Sequence, residues 1–295
     1  MDEAQISSPA MEILADAFRF DREQLLELAD AKREAYASAQ PFPHIVMDDF
    51  LPEEVLDRVL AEFPRPDQDW FAFDSPLERK LATKDDATMG PATRALLWEL
   101  NGPAFVEFLE RLTGISPLVP DSHFEGGGLH QIERGGHLKV HADFNRHPRN
   151  HLERRLNVLI YLNKDWKEEY GGHLELWSRD MACAEARILP VFNRCVVFTT
   201  TSTSYHGHPD PLTCPEGETR KSMALYYYSK DRPPEEAGDT HNTLFQSRPG
   251  EDLPPLPEPE PPPAPPRERV KHAIVQITPP ILIEAVRRRR ARRPS

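Results

Sequence analysis

The segment LKVHADFNRHP carries two candidate metal ligands, His141 and Asp143, separated by one residue. Alternate residues of an extended strand point to the same face, so this imidazole and this carboxylate can bind one ion. A third ligand must come from another strand, and YHGH offers His206 or His208. Two imidazoles and one carboxylate on one face of an octahedral iron ion leave three positions for a co-substrate and O2. The pattern is therefore typical of a non-haem Fe(II) site.

A basic pair, Arg220 and Lys221, opens the next apolar run, TRKSMALYYYS. The planar guanidinium of Arg220 can bind the far carboxylate of a dicarboxylate whose 2-oxo acid end chelates the iron. Strand alternation allows only one of the pair to face inward, and Lys221 is the alternative. A bare HxD motif is weak evidence, because the chain has 12 histidines and accidental partners are easy to find. The stronger evidence for a metal site is the order of the HxD motif, the distal histidine and the basic residue along the chain.

The residues that must position these groups, from Phe124 to Tyr228, form short β-branched and aromatic runs separated by Gly, Pro and Asn. Runs at this spacing, without intervening helices, predict an antiparallel sandwich or barrel. The predicted strands are GGLHQIE, GHLKVHADF, RLNVLIYLN, GGHLELW, ARILPVF, RCVVFTTT and KSMALYYYS.

The N-terminal part of the chain reads as mainly helical. Apolar residues at helical spacing predict one broken helix or two from Met11 to Ser38. A short strand is expected in PFPHIVMDDFLP, followed by an amphipathic helix in EEVLDRVLAEF. Another helix is predicted from Pro91 to Thr113, broken or kinked at Gly102-Pro103.

The C-terminal part begins with a proline-rich run, DLPPLPEPEPPPAPPRE, which predicts a stiff extended spacer. Beyond it, Ile281 to Arg293 could form a basic amphipathic helix. Three interpretations remain for this tail: docking onto its own body or a second subunit in a homodimer, disorder, or contact with an acidic partner or anionic lipid. The predicted domains are a main domain with the candidate site at 1–238 (helical support 1–120, β core 121–230), a Pro-rich linker at 239–268 and a basic tail at 269–295.

Composition excludes several classes of protein. Lys+Arg 36 against Asp+Glu 48 gives a net charge of −12, so we expect no nucleic-acid binding by the main domain. Cys183, Cys195 and Cys214 cannot all pair within one chain and lack the close spacing of a zinc site, which favours a reducing cytoplasm. The acidic N-terminus does not fit a signal peptide, and no apolar segment is long enough for a membrane span.

The block RRLNVLIYLNKDWKEEYGGHLELW resembles the prolyl-4-hydroxylase-like branch of the 2-oxoglutarate- and Fe(II)-dependent dioxygenases. It is similar to the block after HxD in hypoxia-sensing prolyl hydroxylases, including its LNKDW and GG elements. PFPHIVMDDFLP also resembles the opening segment of bacterial members. The resemblance covers about Phe124 to Tyr228. It implies a mainly β (α+β) fold, a double-stranded β-helix (jelly roll, cupin-like) core with N-terminal supporting helices.

Residue by residue, the resemblance makes His141 and Asp143 the first two iron ligands and His206 the third. The interval between His206 and Arg220 is longer than is usual in relatives, because HPDPLTCPEGE inserts a longer turn. His208 is therefore an alternative third ligand. The aromatic-His-Gly order around His206 fits the distal motif of the family better.

The resemblance also implies the co-substrate contacts. Arg220 would bind the C5 carboxylate of 2-oxoglutarate, and Tyr161, just before LNKDW, would donate its hydroxyl to the same carboxylate. Gln131 falls where relatives place a pocket residue, and a role at the sheet edge is its structural alternative.

The implied reaction uses Fe(II), 2-oxoglutarate and O2, with ascorbate as an auxiliary reductant, and hydroxylates an unactivated C–H bond. The carboxylate of Asp143 favours hydroxylation, because a related halogenase would need a small residue there. The leading substrate is a prolyl residue in a peptide or protein, and the alternative is a free amino acid or biosynthetic small molecule. Two further hypotheses are a non-catalytic cupin-like binding module and a scaffold that acts through its tail.

Overall fold

The computed structural model of the chain describes residues 18–83, 85–233, 236 and 238–254. They belong to the first of two compact units, Met1–Pro254. The second unit, Pro255–Ser295, lies outside the described residues, as do the predicted basic tail and residues 255–268 of the predicted linker. No helix in the described ranges is both long and apolar enough to cross a membrane.

Four α-helices lie in the N-terminal half of the chain among the described residues. Helix α1 is Arg22–Ser38, α2 is Glu53–Ala61, α3 is Pro91–Leu100 and α4 is Pro103–Thr113. The carboxylate of Asp21 begins α1 by accepting hydrogen bonds from the first-turn backbone N–H groups.

The sequence predicts these helices well within the described ranges. Gly102 and Pro103 divide the predicted 91–113 helix into α3 and α4, because proline is favourable at a first helical position and not in a helix interior. Helix α4 ends at Gly114, whose φ of 75° is the left-handed conformation that glycine adopts readily. The prediction from Met11 is confirmed from Arg22 onward, and residues 11–17 lie outside the described part.

The β core is one curled, fully antiparallel sheet in the order β1-β10-β7-β12-β5-β3-β6-β11-β8-β9, and the predicted double-stranded β-helix is confirmed. Its strands are β1 His44–Met47, β2 Trp70–Asp74, β3 Glu78–Thr83, β4 Val119–Pro120, β5 Gly128–Glu133, β6 His137–Ala142, β7 Glu153–Tyr161, β8 Leu174–Trp177, β9 Ala184–Ile188, β10 Cys195–Thr199, β11 His206–His208, β12 Thr219–Ser229 and β13 Leu244–Phe245. Strand β2 pairs with β3, β4 with β12, and β13 with β6.

The seven predicted strands of the 124–228 segment correspond to β5 through β10 and β12, and the predicted strand of PFPHIVMDDFLP is β1. The sequence analysis misses the hairpin of β2 and β3, the short strands β4 and β11, and β13. Strand β13 lies in the segment predicted as the start of the linker, but it pairs with β6 and places Phe245 opposite His141. This part of the predicted linker is therefore folded onto the core.

Strand alternation gives the central strands two different faces. On β7, Leu156, Val158 and Ile160 belong to the large apolar core with the helices. Asn157 and Tyr161 point to the opposite face, toward the barrel interior. Because both faces of the strand are covered, the apolar run RLNVLIYLN is almost continuous, and Asn157 stands on its inner face.

Candidate active site

Strands β6 and β11 bring together the predicted metal ligands. The two strands are antiparallel, and His206 lies directly opposite His141, with 4.5 Å between ring centroids. Asp143 follows the end of β6. Its carboxylate oxygens lie 3.6 Å from His141 Nε2 and 3.4 Å from His206 Nε2. One ligand atom from each residue lies within 4.8 Å of the others, a separation that allows all three to bind one ion.

Hydrogen bonds at the other ring nitrogens orient both imidazoles. His141 Nδ1 is 2.8 Å from the Lys139 carbonyl oxygen, and His206 Nδ1 is 2.9 Å from the Ser204 carbonyl oxygen. A carbonyl oxygen can only accept, so each Nδ1 carries the hydrogen and each Nε2 keeps its lone pair. Metal-bound histidines in proteins are oriented by the same kind of outer hydrogen bond. Burial lowers the pKa of His206 to about 4, against the opposing effect of Asp143, so its ring is neutral at pH 7.

Two residues of β7 hold the outer oxygen of Asp143. Asn157 Nδ2 donates to Asp143 Oδ2 at 2.8 Å, and Arg154 Nη2 lies 3.0 Å from the same oxygen. Burial alone would raise the pKa of Asp143, but Arg154, His206 and His141 together hold it well below its ordinary value. The carboxylate is therefore ionised. Its Oδ1 faces His141 Nε2, and Oδ2 lies near His206 Nε2 as well as the two β7 donors.

Arg154 is itself rigidly packed. Only 1% of the residue is exposed, and it donates two hydrogen bonds to Asn157 Oδ1. Its guanidinium carbon lies 3.5 Å from the ring centroid of Tyr226 and 4.5 Å from that of Phe144. These contacts are favourable cation–π geometry. A buried arginine held in this way fixes the position of the Asp143 carboxylate.

Arg220 and Tyr161 meet deeper in the barrel. Arg220 Nη2 lies 3.3 Å from the Tyr161 hydroxyl, and its Nε donates to the Gly172 carbonyl oxygen at 2.8 Å. A Cβ atom at Gly172 would come within 2.9 Å of the Arg220 side chain, so this backbone approach requires glycine. Burial lowers the pKa of Arg220, and only Tyr161 counteracts it.

The charge of Arg220 has no carboxylate partner among the residues that the structure describes. It is only 4% exposed. Buried charges are normally paired, so an arginine in this setting fits an anionic ligand. The donor set at the metal position and this unpaired guanidinium together suit Fe(II) and a dicarboxylate.

One cavity connects the two parts of the site. His141, Asp143, His206 and Arg220 all line it. Its apolar wall consists of Ile132, Leu138, Leu159, Leu174 and Phe198. Its remaining polar lining consists of Lys80, His130, Asn157, His208, Ser222 and Tyr226.

The alternatives left open by the sequence are placed differently. His208 lines the cavity but is not part of the three-residue cluster, which contains His206. Lys221 Nζ reaches the Thr219 carbonyl oxygen at 3.4 Å, and the residue follows Arg220 on the opposite strand face. Gln131 donates to Thr219 Oγ1 at 2.8 Å and alternates with His130 and Ile132, which line the cavity.

The sequence analysis assigns no site role to Arg154, Asn157, Lys80 or Phe245. Asn157 leaves a signal in the sequence as a polar residue within an otherwise apolar run. Arg154 leaves none, because strand alternation alone would place it on the opposite face from Asn157, and the register shift between β7 and β12 that changes this is not visible in the sequence. Phe245 packs with its ring centroid 5.6 Å from that of His141. Lys80 and Phe245 reach the site through strand pairings that connect distant segments, which periodicity does not reveal.

Residues 127–228 match the family model described as the 2OG-Fe(II) oxygenase superfamily. The matched segment contains the three candidate metal ligands and Arg220. The predicted resemblance to this superfamily is thereby confirmed, and together with the His-Asp-His cluster it supports a dioxygenase with Fe(II) as cofactor and 2-oxoglutarate as co-substrate. A comparison with curated protein sequences gave no significant match.

Several solved structures are similar to this chain in fold. A prolyl hydroxylase from Trichoplax adhaerens, in complex with a hypoxia inducible factor oxygen degradation domain peptide fragment, is 15% identical and aligns over 70% of this chain and 91% of that chain, with a TM-score of 0.51. A Pseudomonas putida prolyl-4-hydroxylase is 18% identical over 68% of this chain and 99% of that chain, with a TM-score of 0.49. HygX from Streptomyces hygroscopicus, with nickel, 2-oxoglutarate and hygromycin B bound, is 12% identical. It aligns over 75% of this chain and 96% of that chain, with a TM-score of 0.45.

Proposed function

We propose that this 2OG-Fe(II) oxygenase hydroxylates an unactivated C–H bond, with Fe(II) held by His141, Asp143 and His206. In the same proposal Arg220 and Tyr161 bind the C5 carboxylate of 2-oxoglutarate. The main support for this proposal is the shared cavity. Three convergent metal ligands line it together with the buried guanidinium of Arg220, which has no carboxylate partner in the described part of the chain. We give Gln131 no co-substrate role, because its side chain amide binds Thr219.

The protein's contribution is to fix geometry and charge. The carbonyl oxygens of Lys139 and Ser204 keep both Nε2 lone pairs directed inward. Arg154 and Asn157 hold one oxygen of Asp143, which leaves the other for the metal. Such outer contacts orient ligands and tune the affinity of a metal site.

Arg220 determines where the co-substrate lies. Its guanidinium can accept a carboxylate in a bidentate arrangement, and the Tyr161 hydroxyl adds a neutral donor beside it. Apolar side chains such as Leu159, Leu174 and Phe198 line the same cavity and limit access of water. When bound, Fe(II) enables O2 to oxidise 2-oxoglutarate to succinate and CO2 while one oxygen atom enters the substrate C–H bond.

The finer part of the proposal is the substrate, a prolyl residue in a peptide or protein. The sequence resemblance in RRLNVLIYLNKDWKEEYGGHLELW supports it, and the Trichoplax enzyme of the same fold binds a peptide fragment. We also propose a cytoplasmic location, because Cys183, Cys195 and Cys214 are all free thiols.

The test is Fe(II)-dependent formation of succinate from 2-oxoglutarate by the purified protein, first without a substrate and then with proline-containing peptides and alanine-substituted controls. We expect turnover in the wild type and its loss in Asp143→Ala. Arg220→Ala should need a much higher 2-oxoglutarate concentration, whereas the matched variant Lys221→Ala should behave like wild type. No succinate and no Fe(II) binding would overturn the proposal, and a peptide whose alanine control stimulates turnover equally would remove its prolyl part.

A further inference from the structure

His208 is a buried polar side chain that the proposed reaction leaves without a role. It is 4% exposed, and neither ring nitrogen has a hydrogen-bond partner among the described residues. An imidazole carries at least one N–H group in either protonation state, so it always needs an acceptor. Buried polar groups in folded proteins are almost always hydrogen-bonded, and an exception calls for a ligand or water.

The strand places His208 beside the co-substrate position. It follows His206 by two residues on β11, and both side chains line the cavity that Arg220 also lines. Strand β11 is irregular between the two histidines, where its register with β6 shifts. The shift leaves His206 opposite His141 and His208 opposite Leu138, further from the metal ligands along β6.

The surroundings of His208 favour an anion. Two basic side chains line the same cavity as His208, Arg220 and Lys80. Arg220 has no carboxylate partner among the described residues, whereas Lys80 pairs with Glu78 at 3.0 Å. Ile132 and Leu138 supply apolar wall and no acceptor for the imidazole. A carboxylate that binds Arg220 would bring an acceptor into the space that His208 faces.

We propose that His208 donates a hydrogen bond to the distal carboxylate of 2-oxoglutarate and selects dicarboxylate over monocarboxylate 2-oxo acids. This inference rests on the proposed function, since it assumes the same co-substrate position. It adds a third contact to those of Arg220 and Tyr161.

The experiment compares two co-substrates in three proteins. Wild type, His208→Leu and His208→Gln are loaded with Fe(II) without oxygen and titrated with 2-oxoglutarate or 2-oxopentanoate, which lacks the distal carboxylate. The visible charge-transfer absorption of the Fe(II)–2-oxo acid complex reports binding without turnover. Because a hydrogen bond to a charged group is lost, His208→Leu should bind 2-oxoglutarate about 10- to 100-fold more weakly. Its affinity for 2-oxopentanoate should stay within about twofold of wild type, and His208→Gln, which retains an N–H donor, should lose less.

Equal affinity of wild type and His208→Leu for 2-oxoglutarate would overturn the inference, and so would an equal loss for both 2-oxo acids. Weaker Fe(II) binding in both variants would make His208 a metal ligand and would also contradict it. If wild type shows no absorption with Fe(II) and 2-oxoglutarate, the proposed function itself fails and this inference with it. Should His208→Leu not fold, as judged by circular dichroism, His208→Ala carries the same comparison.

Discussion

The two faces of the central strands differ in almost every physical respect. The face under the helices is dry and apolar: Val158, Val197 and Met223 are fully buried against side chains such as Phe108 of α4. The barrel interior combines an apolar wall, which includes Leu159 and Phe198, with buried ionisable groups such as Asp143 and Arg220. Close packing stabilises the first face, whereas the second retains groups whose burial is unfavourable without a partner. The face under the helices therefore maintains the fold, and the barrel face provides the groups for chemistry.

The largest expected change in stability comes from the helical face. Phe108→Ala removes a fully buried ring and should destabilise the protein by about 3–5 kcal/mol, measured by denaturant unfolding. The affinity of the folded protein for Fe(II) and 2-oxoglutarate should not change, because Phe108 does not line the cavity. Phe71→Ala, at a position 51% exposed, is the control and should change stability by less than about 0.5 kcal/mol. A loss of 2-oxoglutarate affinity in Phe108→Ala would contradict the separation of the two faces.

On the barrel face, Arg154→Met should cost about 3 kcal/mol in the metal-free protein, because it leaves the Asp143 carboxylate buried without its guanidinium. Fe(II) supplies a replacement positive charge, so excess Fe(II) should restore part of the lost stability. Thermal unfolding with and without Fe(II) measures both effects.

The matched control is Arg155→Met, at the neighbouring residue, which pairs with Glu236 and not with Asp143. It should destabilise the protein without changing the stabilisation by Fe(II). The same Fe(II) response in both variants would mean that Arg154 acts only through packing.

A smaller effect is expected from pH in the metal-free protein. Burial lowers the pKa of His206 to about 4 from an ordinary value of 6.5, so the unfolded chain binds this proton more readily than the folded one. Stability should therefore fall as pH decreases from 6.5 toward 4, by about 2 kcal/mol between pH 7.5 and 5 from this group alone. His206→Gln should flatten the slope of unfolding free energy against pH, and an unchanged slope would refute the assignment.

The same two faces explain how much of the fold the sequence predicts. Central strands such as β7, β10 and β12 are covered on both sides, so they appear as long apolar runs. The hairpin of β2 and β3 does not form such an apolar run in the sequence, because most of its residues are partly or fully exposed and the β3 segment ERKLAT is rich in charge. Strand β13 has only two residues, too few for any periodicity.

Prediction of the site has a similar physical limit. His141 and Asp143 are neighbours in sequence, so strand alternation predicts their common face. The convergence of His206 and the contacts of Arg154 and Asn157 with Asp143 depend on pairings between strands that are distant in sequence. Register is a tertiary property, and without it the sequence left His206 and His208 as alternatives.

The most direct test of the account is a crystal structure of the protein with Fe(II) and 2-oxoglutarate, prepared without oxygen and measured at the iron absorption edge. The account predicts one anomalous peak bound by Nε2 of His141, Nε2 of His206 and an oxygen of Asp143, with the distal carboxylate of 2-oxoglutarate on Arg220. A peak bound by His208 in place of His206, a carboxylate bound away from Arg220, or no iron in the cavity would contradict it.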